Sequence, residues 1–304
     1  MIQEENKEDL AARQASAAKI SGYANPKALI SVYDLNESIN ESDILIVDTR
    51  GRTHRIYQRS YLLGHLPGAV PILYSNYSHP VHQGRMTTPD QFQNVLGNIG
   101  AGNSSTIVLY GDDGLQARLY WAIKMYGYEN VKILDGGLNK WKEARYDITS
   151  IESARPPQNF EFDLAKSKAE SMLATLHEVE AAAGNLNCII IDTRSKDEFI
   201  KGHINGSINV PWTSLFNKDM TFKSAPELKV LFESKKITSD KKVITYCNDG
   251  IYSSLVWFVL SELLGYQNIK NYDGSLNEWL IKGHLVEKDV QTDSQKTFNN
   301  SMER

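Results

Sequence analysis

"CIIIDTRSKDEFIKGHINGSINVPW", residues 188–212, opens on an apolar, β-branched run, breaks at Asp192 and returns to β-branched residues before Pro211. Short runs of this kind bounded by polar turns read as buried strands. The blocks recur earlier in the chain. "ILIVDTR" (44–50), "GHLPGAVPI" (64–72), "TIVLYG" (106–111) and "GYENVKILDGGLNKW" (127–141) match, in order, "CIIIDTR" (188–194), "GHINGSINVPW" (202–212), "KVITYC" (242–247) and "GYQNIKNYDGSLNEW" (265–279). Four blocks in one order indicate an internal duplication. Between the strands lie segments such as "SSLVWFVLSELLG" (253–265), too densely apolar for a solvent-facing strand and helical in period. Strands alternating with helices predict an α/β fold, each copy a parallel sheet flanked by helices on both faces. Gly127 and Gly265 fall where left-handed helix C-caps are expected, and Trp141 and Trp279 read as core residues.

The chain has 304 residues, more than one hydrophobic core usually holds, so two domains are expected. We place them at residues 26–148 and 169–288. Residues 149–168 form an extended linker carrying Pro156 and Pro157. Residues 1–25 and 289–304 are polar and are expected as a flexible extension and a flexible tail. A net charge of -4 without a Lys/Arg cluster argues against nucleic acid as a partner. Apolar runs such as "LVWFVL" are far short of the ~20 residues that span a bilayer. No membrane partner is expected, and a cytoplasmic location is the default. The two cysteines, Cys188 and Cys247, fall at opposite ends of predicted neighbouring strands, roughly 13 Å apart at ~3.3 Å per residue, which is beyond disulfide reach. Cys188 reads as a small buried hydrophobe.

In register, "LYGDDGLQAR" (109–118) and "TYCNDGIYSS" (245–254) share Tyr, Asp and Gly, but Cys247 stands where the first copy has Gly111. Cys247 closes a predicted parallel strand, on the side where open α/β sheets bind ligands. Asn248, Asp249 and Gly250 form a turn, and a helix begins near Tyr252 or Ser253. Strand, tight turn and helix N-terminus point backbone N–H groups and the positive end of a helix dipole inward. Such a cradle lowers a cysteine pKa and holds an anion bonded to sulfur.

These motifs, above all "IDTRSKDEF" with "GHINGSINVPW", the loop from Cys247 to Tyr252 and "YDGSLNEW", resemble the rhodanese family, specifically its tandem-domain sulfurtransferases. The resemblance spans roughly residues 26–285. It implies two rhodanese-like domains, the first without the nucleophile but covering the second. It also implies a ping-pong reaction in which the Cys247 thiolate takes a sulfane sulfur as a persulfide. The donor would be a small molecule such as thiosulfate, 3-mercaptopyruvate or a persulfide, and the acceptor cyanide or a thiol. Backbone N–H groups of residues 248–252 (Asn248, Asp249, Gly250, Ile251, Tyr252) would hold the persulfide, and no cofactor is implied.

The loop departs from that pattern in bringing no cation: Asn248, Asp249 and Tyr252 stand where Arg, Lys or Thr are common, and Glu198 replaces an Arg. A dianionic donor would need charge from Arg194 or from Arg50, Arg52, Arg55, Arg59 or Arg118, and the carboxylates Asp249 and Glu198 would oppose thiolate formation. Asp192, Arg194, Glu198 and Ser253 are candidate supporting residues. Because the first copy retains Asp48 and Arg50, a strand-end ion pair is the favoured reading of Asp192 and Arg194. His65 and His203 recur in the same way and read as structural. Tyr252 either bonds a donor or packs between the domains. His79 and His82 make a weak metal signal, so no metal is expected. Asp135 and Asp273 read as turn residues. A thiolate in a cradle also serves phosphatases and arsenate reductases, but these need an Arg at the loop end, and none follows Tyr252. The other alternative is a non-catalytic binding or sulfur-carrier module.

Overall fold

The structure is a computed structural model that describes residues 7–79, 81, 85–185 and 187–289. In the first half, strands β1 (Leu29–Ile30), β2 (Ile44–Gly51), β3 (Val70–Leu73), β4 (Thr106–Tyr110) and β5 (Val131–Leu134) form a sheet in the order β1-β5-β4-β2-β3. In the second, β6 (Cys188–Asp192), β7 (Ile208–Asn209), β8 (Lys242–Tyr246) and β9 (Ile269–Asn271) follow the order β7-β6-β8-β9. Every paired strand is parallel. The place of β1 is taken in the second sheet by a single parallel bridge from Leu173 to Asn271. All eight residues of β2 are buried, as expected for a central parallel strand covered on both faces.

The duplicated blocks encode one repeated polar lock. Asp48 receives the Arg50 guanidinium (Nη2 to Oδ2, 2.6 Å) and the Tyr110 hydroxyl (2.6 Å), and Arg50 donates onward to the Gly64 carbonyl at 2.8 Å. Asp192, Arg194, Tyr246 and Gly202 repeat this at 2.6, 2.7 and 2.7 Å. The strand-end ion pair is therefore present in both copies. His65 and His203 stack on Tyr61 and Phe199 with ring centres 3.7 Å apart in each case. Gly127 and Gly265 take the expected left-handed caps, with φ of 94° and 75°.

The halves meet along two helices. Leu115–Met125 is buried at every residue, including Gln116, Arg118 and Lys124, because it lies between its own sheet and helix Ile251–Phe258 of the other half. Tyr120 meets Phe258 edge to face at 4.9 Å, and one apolar cluster runs from Leu45 and Leu109 through this seam to Ile191 and Val243.

Several expectations are corrected. Residues 7–21 of the supposed flexible extension form a helix, Lys7–Ser21, of strong helix formers. Its end is fixed to both halves. Lys19 pairs with Asp135 at 2.6 Å, the Tyr23 hydroxyl donates to the Lys223 carbonyl at 2.8 Å, and the backbone N–H of Ala24 and of Asn25 each reach carbonyls at 263 and 262 at 2.9 Å. Polarity misled because most of the helix does face water, and only Ile20 and Tyr23 reach the core. The linker is extended but packed: Gln158 donates its backbone N–H to Gly97 at 3.0 Å, and Phe160 and Phe162 join Phe92, Tyr126 and Tyr128. Cys188 is only partly buried, since it opens β6 opposite Lys242 at the sheet margin. His82, residues 1–6 and the tail from 290 lie outside the described residues.

Because the linker aromatics complete the first core, Phe160→Ala is expected to cost about 3–5 kcal/mol of unfolding free energy in urea melts. Leu164→Ala, on the exposed part of the same segment, should stay within about 0.5 kcal/mol. Equal effects would show that the linker is not part of the core.

Candidate active site

β8 delivers Cys247 to the carboxyl end of its sheet, and the chain turns through Asn248, Asp249 and Gly250 into helix Ile251–Phe258. Gly250 has φ of 78°, and a Cβ there would fall 2.6 Å from the Asp273 carbonyl and 2.7 Å from Arg118 Nη1, so no other residue fits this turn. The Cys247 N–H donates to Ser275 Oγ at 3.2 Å, while the Cys247 and Asn248 carbonyls accept from the N–H groups of Leu276 and Asn277, each at 3.1 Å. The loop is thereby tied to the start of the next helix, Ser275–Ile281.

The sulfur is fully buried. Asp249 Oδ1 lies 3.8 Å from it, and Ser253 turns both its N–H and its hydroxyl toward it. That hydroxyl lies beside the sulfur but has no hydrogen-bond partner among the described residues. Burial, the largest influence, pushes the thiol pKa up, and the Asp249 carboxylate adds to this. The N–H groups of Ser253 and Asp249 pull it down without prevailing. The expected lowering is therefore corrected: with the site closed, desolvation outweighs the cradle.

The first domain supplies the cover. Arg52 reaches across to Asp249 (Nη2 to Oδ2, 2.6 Å) and hydrogen-bonds the Tyr252 hydroxyl. Arg118 donates to the Gly250 carbonyl at 3.3 Å and forms a buried ion pair with Asp273. Asp273 Oδ2 also accepts the Met86 N–H at 2.9 Å, and Arg85 pairs with Glu278. The arrangement is mirrored. Asp135 accepts the Phe222 N–H at 2.8 Å across the same seam, so both Asp-Gly aspartates bond between domains rather than within their turns.

Of the candidate supporting residues, Arg194 is committed to Asp192 and the Gly202 carbonyl, and toward the loop it reaches Asn248 Oδ1 at 3.5 Å. Glu198 accepts from Asn248 Nδ2 at 3.0 Å and caps its own helix through Ser195. It therefore braces the loop and does not face the sulfur. Tyr252 stacks flat on Trp212 at 4.9 Å and touches Gly114, which puts it in the interface. Ser275, Arg85 and Asp273 were not legible as site residues. Arg118 was legible only as a spare charge, although a signal existed: it stands where the second copy has Ser254. Among the described residues no cluster of three metal-ligating side chains occurs, and no helix is long and apolar enough to cross a membrane.

If Asp249 both raises the thiol and latches Arg52, Asp249→Asn should speed alkylation of Cys247 by neutral iodoacetamide about three- to tenfold at pH 7. The rise of rate with pH should move to lower pH. An unchanged or upward-shifted profile would remove Asp249 from this role.

Comparison with known proteins agrees with the geometry. The family model for the rhodanese-like domain matches twice, at residues 31–144 and 175–282. A protein of Saccharopolyspora erythraea provisionally named thiosulfate sulfurtransferase is 34% identical over 278 residues, covering 86% of this chain and 94% of its own. A Mycolicibacterium smegmatis protein with the same provisional name is 37% identical over 254 residues, covering 77% and 88%. The sulfur carrier protein TtuD of Thermus thermophilus is 32% identical over 297 residues, covering 87% and 96%. Among solved structures, the anaerobic ergothioneine biosynthesis enzyme of Chlorobium limicola superposes with a TM-score of 0.77 at 22% identity, over 88% of this chain and 72% of that one, a likeness of fold. The chain belongs to the rhodanese-like family as a tandem, two-domain member, and it is an enzyme of the sulfurtransferase class.

Proposed function

We propose that Cys247 is the sulfur-carrying nucleophile, that loop residues 248–252 hold the persulfide, and that Arg52 of the first domain orients an anionic donor. The observation that carries this reading is the Cys247 sulfur itself: it sits in a backbone turn before a helix, with the Ser253 N–H directed to it and the unpartnered Ser253 hydroxyl beside it, where the other copy has Gly111. In the first half-reaction the thiolate attacks the outer sulfur of the donor. The donor's bond to that sulfur breaks with its electron pair staying on the leaving group, which is sulfite from thiosulfate, pyruvate enolate from 3-mercaptopyruvate or a thiolate from a persulfide. In the second, a thiolate or cyanide attacks the outer sulfur of Cys247–S–S⁻, and the Cys247 thiolate departs. Donor N–H and O–H groups around the sulfur stabilise the negative charge of both the thiolate and the persulfide.

Because the sulfur is buried, a donor reaches it only when the Arg52–Asp249 pair parts. Of the six arginines named as charge sources, Arg50 and Arg194 are held by Asp48 and Asp192, and Arg118 by Asp273 and Gly250. Arg52, one third exposed, already faces the loop. A dianion would gain Arg52 but meet Asp249, whereas a singly charged donor such as 3-mercaptopyruvate meets less repulsion. The name of the Thermus relative keeps a carrier role beside the catalytic one. The absence of an arginine after Tyr252 disfavours phosphoryl chemistry.

The reduced protein, incubated separately with thiosulfate, 3-mercaptopyruvate and glutathione persulfide, is expected to gain about 32 Da, one sulfur, by intact mass. The gain should be removed by reductant and absent in Cys247→Ser. Loading by 3-mercaptopyruvate or glutathione persulfide should outpace thiosulfate. Ser253→Ala should slow loading by about tenfold, because the unpartnered Ser253 hydroxyl would no longer be there to donate to the sulfur once it is charged. Failure of all three donors while Cys247 still alkylates would favour the non-catalytic reading.

A further inference from the structure

The first domain keeps a cavity of about 150 Å³ at the place that corresponds to the Cys247 loop in the second. It is lined by Gly111, Asp112 and Gln116 of the thiol-less loop and by Leu138 and Lys142 from the next helix. The second domain roofs it with Phe216 and Met220, from a segment whose ends pair as an antiparallel bridge between Phe216 and Phe222. The Ser78–Met86 bridge stands in the same relation to the second domain.

Three features point to a ligand. Gln116 is 7% exposed, and its Oε1 has no hydrogen-bond partner among the described residues. This is an uncompensated acceptor at the N-terminal turn of the eleven-residue helix Leu115–Met125. A Cβ on Gly111 would lie 2.9 Å from that oxygen and 2.4 Å from Thr49 Oγ1, so the loop has closed over the position of a thiol and offers an acceptor instead. Asp112 and Lys142 are exposed and bring opposite charges to the mouth, whereas Phe216, Met220 and Leu138 make the walls apolar. Arg50 also lines the space, but its charge is met by Asp48.

From this juxtaposition we infer that the first domain binds a small amino-acid thiol. Its ammonium would lie at Asp112 and its carboxylate at Lys142, with the side chain between Phe216 and Met220 and the S–H directed to Gln116 Oε1. A cavity of this size takes roughly a benzene-sized molecule, which suits cysteine and homocysteine. Opposite charges at the mouth select a zwitterion over a simple anion or amine, and the buried acceptor selects a donor at the side-chain tip.

The test uses the full chain carrying Cys247→Ser, so that no sulfur transfer intervenes. Calorimetric titration under reducing conditions compares L-homocysteine with its isostere L-norvaline, and L-cysteine with L-2-aminobutyrate. One site per chain is expected, with the thiols binding about threefold or more tighter than the isosteres, as one weak hydrogen bond allows. Gln116→Met should erase that difference while leaving norvaline binding unchanged. Lys142→Gln, at the exposed mouth, should weaken all four ligands about fivefold or more. In the chain with Cys247 restored, neither substitution should alter persulfide loading. Absence of binding by all four, or binding that is equal for thiol and isostere, or binding insensitive to Lys142→Gln, would overturn the inference. Should Gln116→Met not fold, the thiol–isostere difference and Lys142→Gln still decide it.

Discussion

The site depends on the buried pair between Arg118 and Asp273. Arg118 belongs to the first domain and Asp273 to the second, and both are cut off from water. A charge in that position is tolerated only when matched, and removing one partner from such a pair typically costs about 3–5 kcal/mol. The same guanidinium holds the Gly250 carbonyl, and the same carboxylate holds the Met86 N–H. One electrostatic contact thus fixes the domains against each other and fixes the turn on which Cys247 is mounted. Domain orientation and loop conformation cannot be varied independently.

That coupling explains how a copy without a thiol is retained. The first domain contributes Arg52 to the face of the loop and Arg118 to its back, while Tyr252 and Leu255 pack against its Gly114. The second domain returns the favour through the Phe222 N–H on Asp135 and the aromatic roof over the thiol-less loop. The relation is close to two-fold, and the aromatic run Phe216–Trp212–Tyr252 connects the two loops. One loop has no thiol, but both keep their packing across the seam.

The cysteine environment is a balance of opposed terms. Backbone and hydroxyl donors favour negative charge on sulfur, whereas burial and Asp249 disfavour it. In the closed state the second pair prevails and the thiol pKa is raised. Arg52 pairs with Asp249 across the domain seam, so the carboxylate that opposes charge on sulfur is itself held by the first domain.

The sequence by itself determined what is periodic and local. Duplicated blocks gave the two domains, β-branched runs gave the parallel strands, and Gly127 and Gly265 gave the helix ends. The thiol opposite Gly111 marked which of the two matching loops holds a cysteine. Matching copies also identified the Asp192–Arg194 and Asp48–Arg50 pairs as structural, because a feature kept in the copy without the thiol is not tied to the thiol. Tertiary structure alone decided what lies across the seam. Asp135 and Asp273 look like ordinary turn residues, yet each accepts an N–H from a segment remote in sequence. The helix at 7–21 looks loose because, beyond the surface pair of Arg13 with Glu37, its anchors are Lys19, Ile20 and the residues just after it. The thiol pKa could not be read either, since a turn and helix dipole are local and written in the loop, whereas desolvation is imposed by a domain more than a hundred residues away. Local propensity and pattern are written in consecutive residues; burial and cross-domain charge pairing exist only once the chain has folded back on itself.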